Sequence, residues 1–246
     1  YNTQCMLITD LEYYKQKANL TTKYYGLDDP NARFPRPSDW FHSYPVQDFD
    51  YQFNSWAFRG PEYEQYMGKP VNVCIGDSFT VNMGGPIEHS WPAQLKKYFD
   101  IPTVNLGMDG AGNDAIRLVY NRAQQMFYIQ NTFVMYSYFH RRLIDKRFAH
   151  FNGGKNTGFI DAPFHTDTEN FDYFENNFIN DKRCYYLFLP DWCYTDTEIE
   201  YITGHDVFNY PDLGREQLSN RDYHHINLEL NTNIAEHLYE LSNTNS

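Results

Sequence analysis

The stretch that decides the fold is VNVCIGDSFTVNMGG, Val71 to Gly85. Val71, Val73 and Ile75 run through Asn72 and Cys74 and stop at Gly76-Asp77-Ser78. A short apolar run bounded by turn residues reads as a buried strand. Gly76 permits a tight backbone at its end, and Asp77 or Ser78 is of the type that caps a following helix. A Ser immediately beyond a buried strand also has its hydroxyl at the sheet edge, where chemistry can reach it. On the tripeptide alone the turn reading and the nucleophile reading both stand.

Working outward, the pattern repeats. A helix is expected to open near Ser90 or Trp91, with Pro92 in its first turn and Leu95, Tyr98 and Phe99 at helical spacing. A second strand, Thr103 to Leu106, ends in Gly107-Met108-Asp109-Gly110-Ala111-Gly112. A second helix, capped by Asn113 or Asp114, carries Ile116, Val119, Tyr120, Ala123 and Phe127 on one face. A third strand is expected over Thr132 to Ser137. Strand, helix, strand, helix, strand in this order predicts parallel βαβ units and an open, doubly wound α/β sheet. Ligands of such sheets bind at the carboxyl ends of the strands, where Ser78, Gly110 and the Tyr138-Phe139-His140 segment should gather.

The flanks are less regular. Residues 1 to about 60 are polar and aromatic, with Pro30, Pro35, Pro37 and Pro45 and no sustained period. They read as an irregular N-terminal extension whose aromatics, Trp40 to Phe58, are either anchors or a sugar-stacking platform. Residues from about 146 to 215 read as an unassigned insertion or lid, apart from a strand candidate at Tyr185 to Leu189. Near the end, Asn227 is placed to cap a helix bearing Leu230, Ile234, Leu238 and Leu241, with Glu229 in its first turn. A single domain over residues 1–246 is the expectation.

Composition narrows the partners. The net charge of −12, uninterrupted by any Lys/Arg cluster, disfavours nucleic acid and anionic membrane surfaces. No apolar run reaches the length of a membrane span. Tyr1-Asn2-Thr3-Gln4 does not read as a signal peptide, and the compartment is left open. The 22 Tyr and 19 Phe suit neutral, ring-bearing substrates. Four cysteines, Cys5, Cys74, Cys184 and Cys193, lack zinc-site spacing, so no metal or organic cofactor is expected. Cys74 reads as a buried thiol, and a Cys184–Cys193 pairing is left open.

The chemistry depends on a second stretch, RDYHHIN, Arg221 to Asn227. A serine becomes a nucleophile when a base lies beside it and a third group orients the base. Asp222 and His225, three apart in one loop, supply such a pair, and His224 is the alternative base. Early strand-end Ser, intermediate Gly-rich strand end and late Asp-x-x-His before a final helix form one ordered pattern.

In that order the chain resembles the SGNH (GDSL-type) hydrolases. GDSFT is similar to their first block, VNLGMDGAGND (Val104 to Asp114) to their second and RDYHHIN to their last. NSWAFRGPEY, Asn54 to Tyr63, is similar to a lead-in that some members carry, with Ala57 where Gly is usual. The resemblance covers about Asn54 to Tyr138 and Arg221 to Leu241. It implies a flavodoxin-like, three-layer α/β/α sandwich and a serine esterase acting on short acyl esters, O-acetyl groups on carbohydrate among them. Ser78 would be nucleophile, His225 base and Asp222 its orienting carboxylate. The N–H groups of Ser78 and Gly110 would form the oxyanion hole. The family's third block is altered: SYFHRR puts His140 about where an oxyanion Asn would stand, so His140 either replaces that donor or, with Arg141 and Arg142, begins a polar helix.

Three alternatives accompany this expectation. An O-acyltransferase would use the same triad, and a non-catalytic binding protein would keep only the fold. A structural protein would dock through an N-terminal arm whose removal, residues 1 to 50, leaves any esterase activity alone.

Overall fold

The computed structural model describes residues 16–31, 37, 39–145, 147–151, 160–203, 205, 208, 210–211 and 215–244. Cys5, Pro35 and residues 152–159 lie outside the described residues. The strands are β1 (Thr21–Thr22), β2 (Tyr51–Gln52), β3 (Pro70–Gly76), β4 (Thr103–Gly107), β5 (Tyr128–Tyr136), β6 (Arg141–Ile144), β7 (Arg147–His150), β8 (Ile160–Asp161) and β9 (Cys184–Phe188). The α-helices are α1 (Trp40–Ser43), α2 (Ser78–Val81), α3 (Trp91–Leu95), α4 (Asn113–Met126), α5 (Asp167–Glu175), α6 (Asp196–Ile202), α7 (Arg215–Leu218) and α8 (Leu228–Thr244).

Four strands form the central sheet in the order β4-β3-β5-β9. All three neighbouring pairs are parallel, with Val73 opposite both Val104 and Thr132, and Phe133 opposite Tyr185. Side chains alternate across a strand, and the core divides accordingly. Val71, Val73 and Ile75, with Val104, Leu106, Val134, Tyr136 and Phe188, pack against Ala115, Ile116, Val119, Tyr120 and Ala123 of α4. Cys74, Phe133, Met135, Tyr185 and Leu187 pack on the other face against Trp91 and Leu95 of α3 and Leu230, Ile234 and Leu238 of α8. The result is the α/β/α sandwich expected from the sequence.

The strand order makes the topology doubly wound. From β3 the chain steps to β4 on one side through α3, then returns across β3 to β5 through α4 on the opposite face. The crevice at the carboxyl ends of β3 and β5 is therefore the switch point at which such sheets bind ligands.

Several expectations shift in detail. The third strand runs from Tyr128 to Tyr136, beginning earlier than expected because Tyr128 and Ile129 pair with Pro70 and Val71 before a bulge. The helix at Trp91 is short and ends in a 3-10 turn, Lys96–Tyr98. Residues 141–144 form a strand paired with β7, not a polar helix. Arg142 lies buried in that strand, over the rings of Phe151 and Tyr173 at 4.4 and 4.0 Å and bonded to Asn170 at 2.9 Å. The stretch 146–215 is only partly an excursion, because β9 returns to the sheet beside β5. Cys184 and Cys193 are separate thiols, not a disulfide. In the N-terminal extension β1 pairs with β2, and Phe41, Tyr51, Phe53, Trp56 and Phe58 are buried, which is the anchoring arrangement.

Helix α2 lies directly over the end of the sheet. A Cβ added to Gly107 would meet the Val81 nitrogen at 2.8 Å and the Thr80 carbonyl carbon at 2.9 Å, both backbone atoms that have no freedom to yield. Gly107→Ala is therefore expected to destabilise the fold by about 1–3 kcal/mol through overpacking. The urea midpoint measures it, and an unchanged midpoint would show that α2 is not held against β4.

Candidate active site

The site begins where β3 ends. A Cβ on Gly76 would stand 2.1 Å from Thr80 Oγ1 and 2.9 Å from the Met135 carbonyl oxygen, so only glycine passes through this corner. Asp77 caps α2, its Oδ1 accepting the Phe79 N–H at 3.0 Å. Its Oδ2 accepts the Ser137 hydroxyl at 2.6 Å and faces Arg141 Nη1 at 3.3 Å. Burial pushes the Asp77 carboxyl above its usual range, against the pull of Arg141, Ser137 and the Phe79 N–H. The capping and nucleophile readings of Gly-Asp-Ser are thus compatible: Asp77 is the cap, and Ser78 is the first residue of the helix, 4% exposed.

The second strand end is drawn to the first. The Met108 N–H donates to the Gly76 carbonyl at 2.9 Å, and the chain turns at Gly110 with φ +75°, a conformation that favours glycine. Among the described residues neither the Ser78 nor the Gly110 N–H has an acceptor.

The last loop supplies a carboxylate–imidazole pair. Asp222 and His225 are 0% and 1% exposed. Asp222 Oδ1 accepts the backbone N–H groups of His224 and His225, each at 3.0 Å, and Oδ2 meets His225 Nδ1 at 2.5 Å. Burial alone would raise the Asp222 carboxyl; the His225 and His224 imidazoles and these hydrogen bonds hold it below its usual value. It is an anion in the neutral range. An imidazole held through Nδ1 presents Nε2, which is buried and has no hydrogen-bond partner among the described residues. The ring rests on Phe79, the residue after Ser78, with centroids 4.6 Å apart.

His224 is held elsewhere. Its Nε2 is 3.2 Å from the Tyr138 hydroxyl and its ring is perpendicular to that of His225. Of the two histidines, His225 is the one whose side chain meets Asp222. His140 contacts the rings of Tyr138 and His150, at 5.3 and 5.0 Å, with no contact to Ser78 or Gly110 among those described. Burial first, then Arg141 and His150, push it down to about 3, so it is neutral at ordinary pH.

Sequence reasoning passed over several residues. Arg59, buried, donates to the carbonyls of Val81, Asn82 and Gly85 at 3.1, 2.6 and 2.9 Å, fastening the exit of α2. Asn54 accepts the N–H groups of Trp56 and Phe58, shaping the loop that delivers Arg59. Ala57 in that loop has φ +65°, a left-handed backbone that suits the Gly of the similar lead-in. Both polar residues lay within the quoted motif, which was the available signal. Asn113 brackets Ser137, accepting its N–H at 2.8 Å and donating to its carbonyl at 3.0 Å. Behind the last loop lies a cavity of about 480 Å3 lined in part by Trp40, Tyr44, His89, Ser219 and Glu229.

Among the described residues no group of three or more His, Cys, Asp or Glu is arranged to hold a metal ion. Nor is any described helix long and apolar enough to cross a membrane. No protein-family profile matches the chain, and no curated protein matches it. Among solved structures, it is similar to one described as a "putative lipolytic protein of G-D-S-L family" from Desulfitobacterium hafniense DCB-2. The match has 17% identity and a TM-score of 0.41, and covers 70% of this chain and 98% of that one. Likeness at this level assigns no residue a role.

His140 and His150 are both held at about 3 against an ordinary value of 6.5, burial being the main cause in each. The unfolded chain therefore binds more protons than the fold between these values, and this contribution to stability is lost as pH falls from 6.5 towards 3. Asp28 and Asp77, whose carboxyls burial raises, act in the opposite sense. The readout is thus a difference: Tm should fall with acid more steeply in the parent than in His140→Gln/His150→Gln. Equal slopes would exclude the two histidines as the source.

Proposed function

We propose that the chain is a serine ester hydrolase working through an acyl-enzyme. The observation that carries this reading is the buried Asp222–His225 pair, with His225 Nε2 unpartnered among the described residues and its ring on Phe79, the residue after Ser78. His225 takes the Ser78 proton as Oγ attacks the ester carbonyl. Asp222 keeps Nδ1 protonated and balances the imidazolium that forms. The oxyanion is received by the N–H groups of Ser78 and Gly110, both without acceptors among the described residues and both at the sheet end. Each such donor is worth about 2.7–4 kcal/mol in acyl transfer. His225 then returns the proton to the leaving alcohol and activates the water that releases the acyl group.

Short acyl esters are the proposed substrates, with O-acetylated carbohydrate favoured. The acidic, aromatic-rich composition supports a ring-bearing alcohol. Hydrolysis and transfer share every step up to the acyl-enzyme. Product analysis with and without a polysaccharide acceptor separates them.

A fluorophosphonate probe tests the mechanism. Labelling is expected at Ser78 and is expected to vanish in Ser78→Ala and His225→Ala. Asp222→Asn, which preserves the shape but misorients the imidazole, should lower kcat by about 10⁴-fold. A well-folded parent that resists the probe would instead support a binding protein on this scaffold.

A further inference from the structure

Arg221 precedes the acid of the proposed triad by one residue, yet its side chain points away, into the N-terminal segment. Its guanidinium is 1% exposed and makes a two-pronged contact with Asp28, Nε to Oδ1 at 2.8 Å and Nη2 to Oδ2 at 2.5 Å. Nη1 donates to the Gln47 carbonyl at 2.7 Å. The rings of Phe49 and Phe41 lie 4.1 and 4.9 Å from its central carbon. Asp28 is 0% exposed. A planar guanidinium fixed by a carboxylate fork and stacked on aromatic rings has one orientation available, which Lys does not reproduce.

The contact closes on itself. Asp28 Oδ2 also accepts the Tyr51 hydroxyl at 2.6 Å, and the Tyr51 oxygen accepts the Gly84 N–H at 2.8 Å. The Gly84 carbonyl in turn accepts the Arg221 N–H at 3.1 Å. Gly84 stands against the catalytic carboxylate: at φ +76°, a Cβ there would lie 2.8 Å from Asp222 Cγ. The ring Arg221–Asp28–Tyr51–Gly84 therefore backs Asp222. Arg59, stacked 4.2 Å over Tyr51, joins the same ring to the exit of α2.

We propose that the Asp28–Arg221 ion pair, with Tyr51, is a positioning device for the Asp222–His225 pair, so that the N-terminal segment is part of the active-site machinery. The proposal rests on the triad reading above. Asp28, Tyr51 and Arg221 are positioning residues, since they act on the reacting groups through Asp222. Removal of residues 1 to 50 would take Asp28 away and disable catalysis, contrary to the detachable arm expected for a docking protein.

The test uses full-length Asp28→Asn, Arg221→Lys and Tyr51→Phe. Three quantities are read: kcat and KM on p-nitrophenyl acetate, the low-field NMR resonance of the His225 Nδ1 proton, and circular dichroism as a check on the fold. Misplacement of the pair by about an ångström is expected to lower kcat by about 100-fold in Asp28→Asn, with KM little changed. The resonance should broaden or shift in all three variants while the dichroism is retained. Folded Asp28→Asn with unaltered kcat and resonance would overturn the proposal. Should that variant not fold, Tyr51→Phe decides, because it removes one hydroxyl and keeps the ring; an unchanged resonance there overturns the proposal as well. A parent without esterase activity would count against the triad reading alone, since the resonance reports on the Asp222–His225 geometry in the absence of any substrate.

Discussion

The structure depends on how little room there is where the sheet ends. Gly76 and Gly107 lie side by side in register, and α2 is pressed onto both, with Thr80 touching each glycine position. That contact removes any choice in the path of the chain after Ile75. It sets Ser78 at the first turn of a helix and brings the Gly110 turn alongside. A side chain at either glycine would lift α2 and separate the strand ends. Precision here comes from backbone packed on backbone, which changes less than side-chain contacts when the surroundings breathe.

Around this point the two faces of the sheet play different parts. The face packed on α4 is built from alternating Val, Ile and Leu and fixes the strands. The face packed on α3 and α8 holds the Asp222–His225 loop: α8 starts just after it, where the Asn227 side chain accepts the Leu230 N–H at 3.1 Å, and Leu230, Ile234 and Leu238 anchor the helix to the sheet. The His225 loop is thus pinned from below by α8 and from behind by the N-terminal segment. A loop that must hold a carboxylate against an imidazole needs such support, because loops are by default the more mobile part of a fold.

The parts of this arrangement that were legible in the sequence are those set by local periodicity. Val71 to Ile75, the apolar face of α4 and the final helix declared themselves through spacing, and so did the ordered Ser, Gly and Asp-x-x-His signals. What was not legible depends on pairings between distant residues. Nothing near Asp28 marks it as the partner of Arg221, and Arg142 in a polar run gives no sign that it will be buried among Phe151, Tyr173 and Asn170. The reading of His140, Arg141 and Arg142 as the start of a polar helix, one of two alternatives beside an oxyanion role for His140, weighed their polarity without their partners. Burial of a charge is decided by what tertiary structure supplies for it, which local sequence does not encode.

The Asp28–Arg221 contact spans 193 positions of the chain. The Ser78 corner and the Gly110 turn draw on residues closer in the chain, the Ser137 hydroxyl reaching Asp77 across 60 positions. Arg221 follows Asp28 in the chain by that whole distance, so the Asp28 carboxyl is without its cation until the Asp222–His225 loop joins it. A carboxylate is better left in water than buried unpaired, so the aromatic cradle around Asp28 closes most favourably once Arg221 is in place. Closure of the N-terminal segment and placement of the Asp222–His225 loop are therefore expected to be coupled steps of folding.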